Sequence, residues 1–232
     1  MSSETRSLVV VTGASAGIGQ AIAKHLLSIG WRVLGLDIAA ASLAHDAYQH
    51  HELDLTDVTA VQQTLASVEA NAFVHAAGVM RVGKLGQLDI QGGAQMWQLH
   101  TQAAGVVANA LMPRMLQNHH GRIVFIGSRV SQGFPNRGQY AGTKAALVAM
   151  AKSWAAEVAS SGVTINVVSP AATDTGMLND PHRAGSQPRL PPIGRLIQPQ
   201  EIADMVAYLL SPSASAITGQ EITICGGSSL HQ

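Results

Sequence analysis

Short apolar runs alternate with longer segments of helical periodicity from one end of the chain to the other. Leu8 to Val11 is β-rich and leads directly into a glycine turn, after which Ile18 to Ile29 reads as a helix ending before Gly30. A second strand, Arg32 to Leu36, ends at Asp37, and a third, short and weakly marked, precedes Asp54. A helix over Val58 to Val68 then leads to a strand at Ala72 to His75. One long helix over Leu88 to Asn118 precedes the strand Arg122 to Ile126. The remaining elements are a helix over Gln139 to Ala159, a strand at Val163 to Val168, a helix over Pro199 to Leu210 and a strand at Glu221 to Ile224. Strand and helix in strict alternation predict parallel βαβ units, with helices on both faces of one sheet. The expected fold is α/β, a single doubly wound parallel sheet of Rossmann type. No linker, repeat or composition shift marks a second domain, so residues 1–232 are read as one domain.

Composition narrows the class. Of the 232 residues, 47% are hydrophobic, enough for a substantial core. Fourteen basic residues balance fourteen acidic ones and only 12% of the chain is charged. No basic face suggests nucleic acid, and no apolar run is long enough to span a bilayer. The polar start, Met1 to Ser7, lacks the apolar centre of a signal peptide, so a cytoplasmic location is expected. Cys225 is the single cysteine, which excludes an intramolecular disulfide. His45, His50, His51, His119 and His120 lack a compact ligand spacing, and no metal is expected.

The glycine turn, Thr12-Gly13-Ala14-Ser15-Ala16-Gly17-Ile18-Gly19, sits between a strand and a helix. Gly13 permits a tight turn and Gly17 a close approach of backbone to a pyrophosphate, while the helix start offers free N–H groups to its oxygens. Asp37 ends the next strand, where a carboxylate accepts hydrogen bonds from ribose hydroxyls and repels a 2′-phosphate. Ala16 supplies no basic group to attract that phosphate. NAD is therefore expected over NADP. Farther along, Tyr140 and Lys144 stand four residues apart on one helix face, with Ser128 twelve residues before the tyrosine. A nearby ammonium favours the ionised phenol. Lowering a phenol pKa of about 10 by about three corresponds to about 4 kcal/mol, and leaves a proton acceptor near neutral pH. Ser128 is a hydroxyl suited to hold a developing oxyanion.

These residues, with Asp54-Leu55, Ala76-Ala77-Gly78, Pro170 to Thr175 and Thr218-Gly219-Gln220, resemble the short-chain dehydrogenase/reductase family in order and spacing over nearly the whole chain. The resemblance implies a cofactor site built from Gly13, Ser15, Gly17, Ile18, Gly19 and Asp37. It implies that Asp54 meets the adenine amino group with Leu55 beside the ring, and that Ala77 and Gly78 line the pocket toward the nicotinamide. Tyr140 would be the acid/base, Lys144 would hold the nicotinamide ribose, and Ser128 would bind the substrate oxygen. Thr173 joins the cofactor-binding set and Thr175 would lie near the carboxamide. The resemblance also implies a homotetramer or homodimer formed through the two long helices.

The chain departs from the family pattern at several points. His75-Ala76-Ala77-Gly78 stands where Asn-Asn-Ala-Gly is common, and His100 replaces an asparagine that usually serves a proton relay. Imidazole both donates and accepts, so His100 is expected to keep a relay working. Ala171 replaces a glycine and Cys225 an aspartate. The stretch 176–199, with five prolines and three glycines, reads as a substrate lid. Met177, Leu178 and Leu190 are candidates to cover an apolar substrate, and Arg81, Arg129, Arg183 and Arg189 to bind a carboxylate. The expected reaction is hydride transfer between NAD and a small secondary alcohol or ketone, such as a polyol, cyclic alcohol or diol. The segment after the fourth strand is similar to that of dihydrodiol dehydrogenases. A 3-ketoacyl-type reductase is less favoured because such enzymes usually prefer NADP. A non-catalytic NAD-sensing protein is the reading from a different class.

Overall fold

A computed structural model describes residues 7–181 and 189–230. Seven strands form one parallel sheet in the order β3-β2-β1-β4-β5-β6-β7. They are β1 (Leu8–Thr12), β2 (Arg32–Asp37), β3 (Tyr48–Glu52), β4 (Ala72–His75), β5 (Gly121–Ile126), β6 (Val163–Pro170) and β7 (Glu221–Ile224). The α-helices among the described residues are α1 (Gly17–Ser28), α2 (Val58–Leu65), α3 (Ile90–Trp97), α4 (Ala103–Gln117), α5 (Gly138–Val158) and α6 (Pro199–Leu210).

Side chains on successive strand residues point to opposite faces, and this divides the apolar residues between two cores. Val10, Phe73, Ile123 and Phe125 pack beneath α2, α4 and α5 with Leu111, Met115 and Leu147. Val9, Val11, Val74 and Val124 pack beneath α1 and α6 with Ile22, Leu26, Ile202 and Val206. Burial on both faces explains why the central strands read as continuous apolar runs. β3 is the exception. It lies at the sheet edge with sequence Tyr48-Gln-His-His-Glu, so its apolar signal is weak although its register with β2 is regular.

The long helix expected from Leu88 to Asn118 is interrupted. α3 and α4 are joined by one wide π-turn, Gln98–Gln102, carrying the buried His100. Such a bulge often marks a functional position. β6 runs two residues past its expected end to pair Pro170 with Ile224. The strand order reverses between β1 and β4, which opens a crevice at the carboxyl ends of the strands. Among the described residues no helix is long and apolar enough to cross a membrane.

Candidate active site

The crevice is a cleft of about 1100 Å³ whose lining runs across the sheet from the end of β2 to the end of β5. At one end lie Gly13, Gly17, Ile18, Gly19, Asp37, Asp54 and Leu55; at the other Ser128, Tyr140 and Lys144. Ala77, Gly78, Thr173 and Thr175 line it as well. Ser15 and His100 are not among its lining residues, and each acts on it from behind.

The glycine turn is shaped by contacts. Gly13 adopts φ +69°, and a Cβ there would fall 2.8 Å from the backbone of Ala77, so only glycine lets β1 and β4 approach this closely. Thr175 closes over the same turn, with its Cγ2 3.5 Å from where a Cβ on Gly17 would stand. Asp37 is oriented by two backbone donors: the N–H of Ser15 reaches Oδ2 and that of Ala39 reaches Oδ1, each at 3.0 Å. Ser15 thus aims the carboxylate. Ala16 and Ile38 are its neighbours along the cleft wall. Asp54 accepts hydrogen bonds from the N–H and hydroxyl of Thr56, and Leu55 is buried beside it.

At the opposite end, Ser128 follows β5 and caps a short 3₁₀ turn, its Oγ accepting from the N–H of Val130 at 3.2 Å. Tyr140 and Lys144 are both buried on α5, with Lys144 Nζ 5.8 Å from the phenol ring centroid. Nζ donates to the carbonyl of Ile126 at 2.9 Å, which ties the helix to the end of β5. Burial pulls the Lys144 ammonium down to about 8.

Behind the cleft, two buried histidines, His75 and His100, link the strand ends, the π-turn and α5. The N–H of Val79 donates to His100 Nε2 at 3.0 Å, so this nitrogen is an acceptor. His100 Nδ1 stands 2.9 Å from Thr143 Oγ1, whose own proton goes to the Tyr140 carbonyl at 2.8 Å. The network therefore assigns the proton to Nδ1. His75 takes the other tautomer. Its Nε2 donates to the Leu99 carbonyl in the π-turn at 3.1 Å, and its Nδ1 accepts from Thr12 Oγ1 at 2.9 Å. Thr12 Oγ1 in turn accepts from the N–H groups of Ala76 and Ala77. Burial, and then the Lys144 charge, push His75 down to about 3 and His100 well below the usual imidazole range. Both rings are neutral at physiological pH.

The lid arginines separate. Arg81 pairs with Asp180 at 3.6 Å, Arg129 and Arg189 line the cleft, and Arg183 lies outside the described residues, as does 182–188 of the expected lid. The sequence reading missed Arg137, which is 9% exposed and lines the cleft. Its place three residues before Tyr140, at the start of the same helix, was the available signal. Thr12 and Thr143 were also missed as site-shaping residues. Among the described residues no three or more His, Cys, Asp or Glu side chains group closely enough to hold a metal.

A family profile described as enoyl-(acyl carrier protein) reductase matches residues 13–229. The chain belongs to the short-chain dehydrogenase/reductase family. Its curated relatives include the 3-oxoacyl-[acyl-carrier-protein] reductase FabG of Escherichia coli (strain K12), 35% identical over 95% of this chain and 96% of the relative. Similar solved structures include an aldohexose dehydrogenase of Thermoplasma acidophilum, 28% identical, with a TM-score of 0.90 over 98% of this chain and 95% of that one. An actinorhodin polyketide ketoreductase solved with NADPH is 25% identical, with a TM-score of 0.88 over 100% of both chains. As a short-chain dehydrogenase/reductase, the chain is an oxidoreductase with a nicotinamide-cofactor fold.

Proposed function

We propose that the protein is an NAD(H)-dependent oxidoreductase that interconverts a secondary alcohol and its ketone. The observation that carries this reading is one cleft with Ser128, Tyr140 and Lys144 at one end and a backbone-oriented Asp37 at the other. Gly13, Gly17, Ile18 and Gly19 fit a pyrophosphate, and Asp54 and Leu55 fit an adenine. Asp37 fits the free hydroxyls of an adenosine ribose better than a 2′-phosphate, which it would repel. That favours NAD, although the neighbouring ketoreductase was solved with NADPH. Bound NAD(H) supplies or accepts the hydride.

Each side chain then has a defined task. Ser128 Oγ donates to the substrate oxygen, and Tyr140 gives that oxygen a proton in reduction or takes one in oxidation. Lys144 spends one N–H on Ile126 and has two left for a ribose and the phenol. For His100 we propose a positioning role in place of the expected relay. Both of its ring nitrogens are committed to fixed partners, so it holds Val79 against the catalytic helix and has no free site to pass a proton.

The relatives support a 3-oxoacyl-type carbonyl over the polyol expected from sequence. The aldohexose dehydrogenase neighbour is the specific observation that keeps a sugar or polyol substrate as the second reading. A cytoplasmic enzyme assembling as a homodimer or homotetramer completes the proposal. Exposed Trp97 beside the π-turn, and Gly105 of α4 against Trp154 and Met150 of α5, offer such a contact face. The test is steady-state reduction of 3-oxoacyl esters and aldohexose oxidation, each run with both cofactors. Turnover that prefers NAD(H) supports the reading. NADP(H) preference refutes the Asp37 assignment, and cofactor binding with no turnover transfers support to an NAD sensor.

A further inference from the structure

The substrate end of the cleft is cationic in a way that the hydride-transfer machinery does not need. Besides Lys144 it is lined by Arg129, Arg137 and Arg189, whereas Asp37 and Asp54 lie at the adenosine end and Asp180 is bridged to Arg81. Arg137 is the most deeply set of the three arginines. Asn136 before it takes a left-handed φ of 63° and gives its carbonyl to the N–H of Gly83, which pins the loop at the mouth of α5. The Arg137 guanidinium lies 4.8 Å from the centre of the Phe134 ring, and that of Arg129 lies 5.8 Å from the same ring. Stacking on an aromatic face fixes the plane of a guanidinium and weakens its hydration, conditions that suit a planar oxyanion. Arg129 gives Nη1 to the Ser228 carbonyl, and its buried Nε has no partner among the described residues.

Position decides which anion fits. Arg137 caps the start of α5, three residues before Tyr140, and both line the cleft. An anion held on its guanidinium would share this end of the cleft with a carbonyl at Tyr140 and Ser128. The phosphate of a long thioester carrier sits much farther from its own acyl carbonyl. The apolar lining that packs with Tyr140 is made of Met80, Val130, Phe134 and Met177.

We propose that Arg137, with Arg129, binds the free carboxylate of a small 3-oxo acid and its 3-hydroxy counterpart. This rests on the hydride-transfer reading and narrows its substrate from a 3-oxoacyl carrier to the acid itself. In reduction, the hydride of NADH adds to the ketone carbon and the Tyr140 proton to its oxygen. The products are the 3-hydroxy acid and NAD⁺, and the carboxylate stays ionised on the arginines throughout.

The test compares NADH-linked reduction of 3-oxobutanoate, its methyl ester and its coenzyme A thioester by wild type, Arg137→Met, Arg137→Lys and Arg129→Met. A charge-assisted forked contact should favour the acid over the ester by about 10- to 100-fold in kcat/KM. Arg137→Met should remove that preference by raising KM for the acid far more than for the ester, with NADH affinity and melting temperature retained, which a misfolded variant would not show. Arg137→Lys should recover part of it. Ester or thioester turnover equal to or above that of the acid overturns the proposal and leaves the hydride-transfer reading standing, as does an equal loss on acid and ester in Arg137→Met. If nothing is reduced, that reading fails, and calorimetric binding of butanoate to the NAD⁺-loaded protein decides the site alone. Binding by wild type that Arg137→Met abolishes sustains the arginine site; no binding overturns it.

Discussion

Replacing Asp37 with alanine should reverse the choice between the two nicotinamide cofactors. The carboxylate is held by two backbone N–H groups, from Ser15 and Ala39, each at 3.0 Å. It is pre-aimed and loses little freedom when a ribose arrives. A hydrogen bond to a charged group contributes about 1.5–3 kcal/mol. Two ribose hydroxyl bonds at the lower value give about 3 kcal/mol, or roughly 100-fold in affinity. The same charge at contact distance opposes a 2′-phosphate, and its removal should relieve about 1–2 kcal/mol at a partly exposed site. Asp37→Ala is therefore expected to lower kcat/KM for NADH by about 100-fold and to raise that for NADPH by about tenfold. The assay is steady-state reduction of one ketone at saturating concentration with each cofactor varied. Because kcat depends on the far end of the cleft, the change should sit in KM. A wild-type preference for NADPH, or an equal loss with both cofactors, would refute the argument.

Other consequences concern stability and the buried bases. Lys144 is charged in the unfolded chain up to a pKa of about 10.5 but in the folded one only to about 8, so the native state binds fewer protons between those values. Stability of the cofactor-free protein should rise with pH across that window, and burial of the ammonium should cost about 3 kcal/mol below it. Lys144→Met should abolish turnover yet stabilise the apo protein by about 2 kcal/mol at pH 7, after allowing about 1 kcal/mol for the Ile126 carbonyl it leaves; a lowered melting temperature would contradict this. His100→Leu strands the N–H of Val79 and should cost about 1–3 kcal/mol and reduce kcat without moving the apparent pKa values of the pH–rate profile. A relay would instead lose a limb of that profile, and nitrogen NMR should find Nδ1–H at His100, Nε2–H at His75 and no titration of either from pH 5 to 9. Gly13→Ala combines a positive φ with a Cβ 2.8 Å from Ala77, so denaturant unfolding should show a loss of about 2 kcal/mol or more, with weakened NADH binding.

What the sequence made legible was local. β1, β5 and β7 are apolar runs between clear breakers, and α6 carries proline at its first position, so each was placed to within a residue. The glycine turn, Asp37 and the serine, tyrosine and lysine were recognisable because their chemistry demands particular spacings. β3 was faint because an edge strand buries little. The π-turn was invisible because no glycine or proline marks Gln98–Gln102. What it does is settled across 24 to 43 residues, where His75 reaches Leu99 and His100 reaches Thr143. Arg137 was overlooked for a related reason: its burial depends on Phe134 and on a loop pinned to Gly83. The cofactor reading came from one carboxylate, and the expected preference for a polyol gave way once relatives named 3-oxoacyl reductases were found.

The central claim is that Tyr140, at the substrate end of a cofactor cleft, moves the proton that accompanies hydride transfer. Its most direct test measures Tyr140→Phe beside wild type, following NADH oxidation with a 3-oxo substrate and NADH binding by fluorescence on the same samples. The account predicts at least a 100-fold loss of kcat with NADH affinity within about threefold of wild type. Turnover within a few fold of wild type would contradict it.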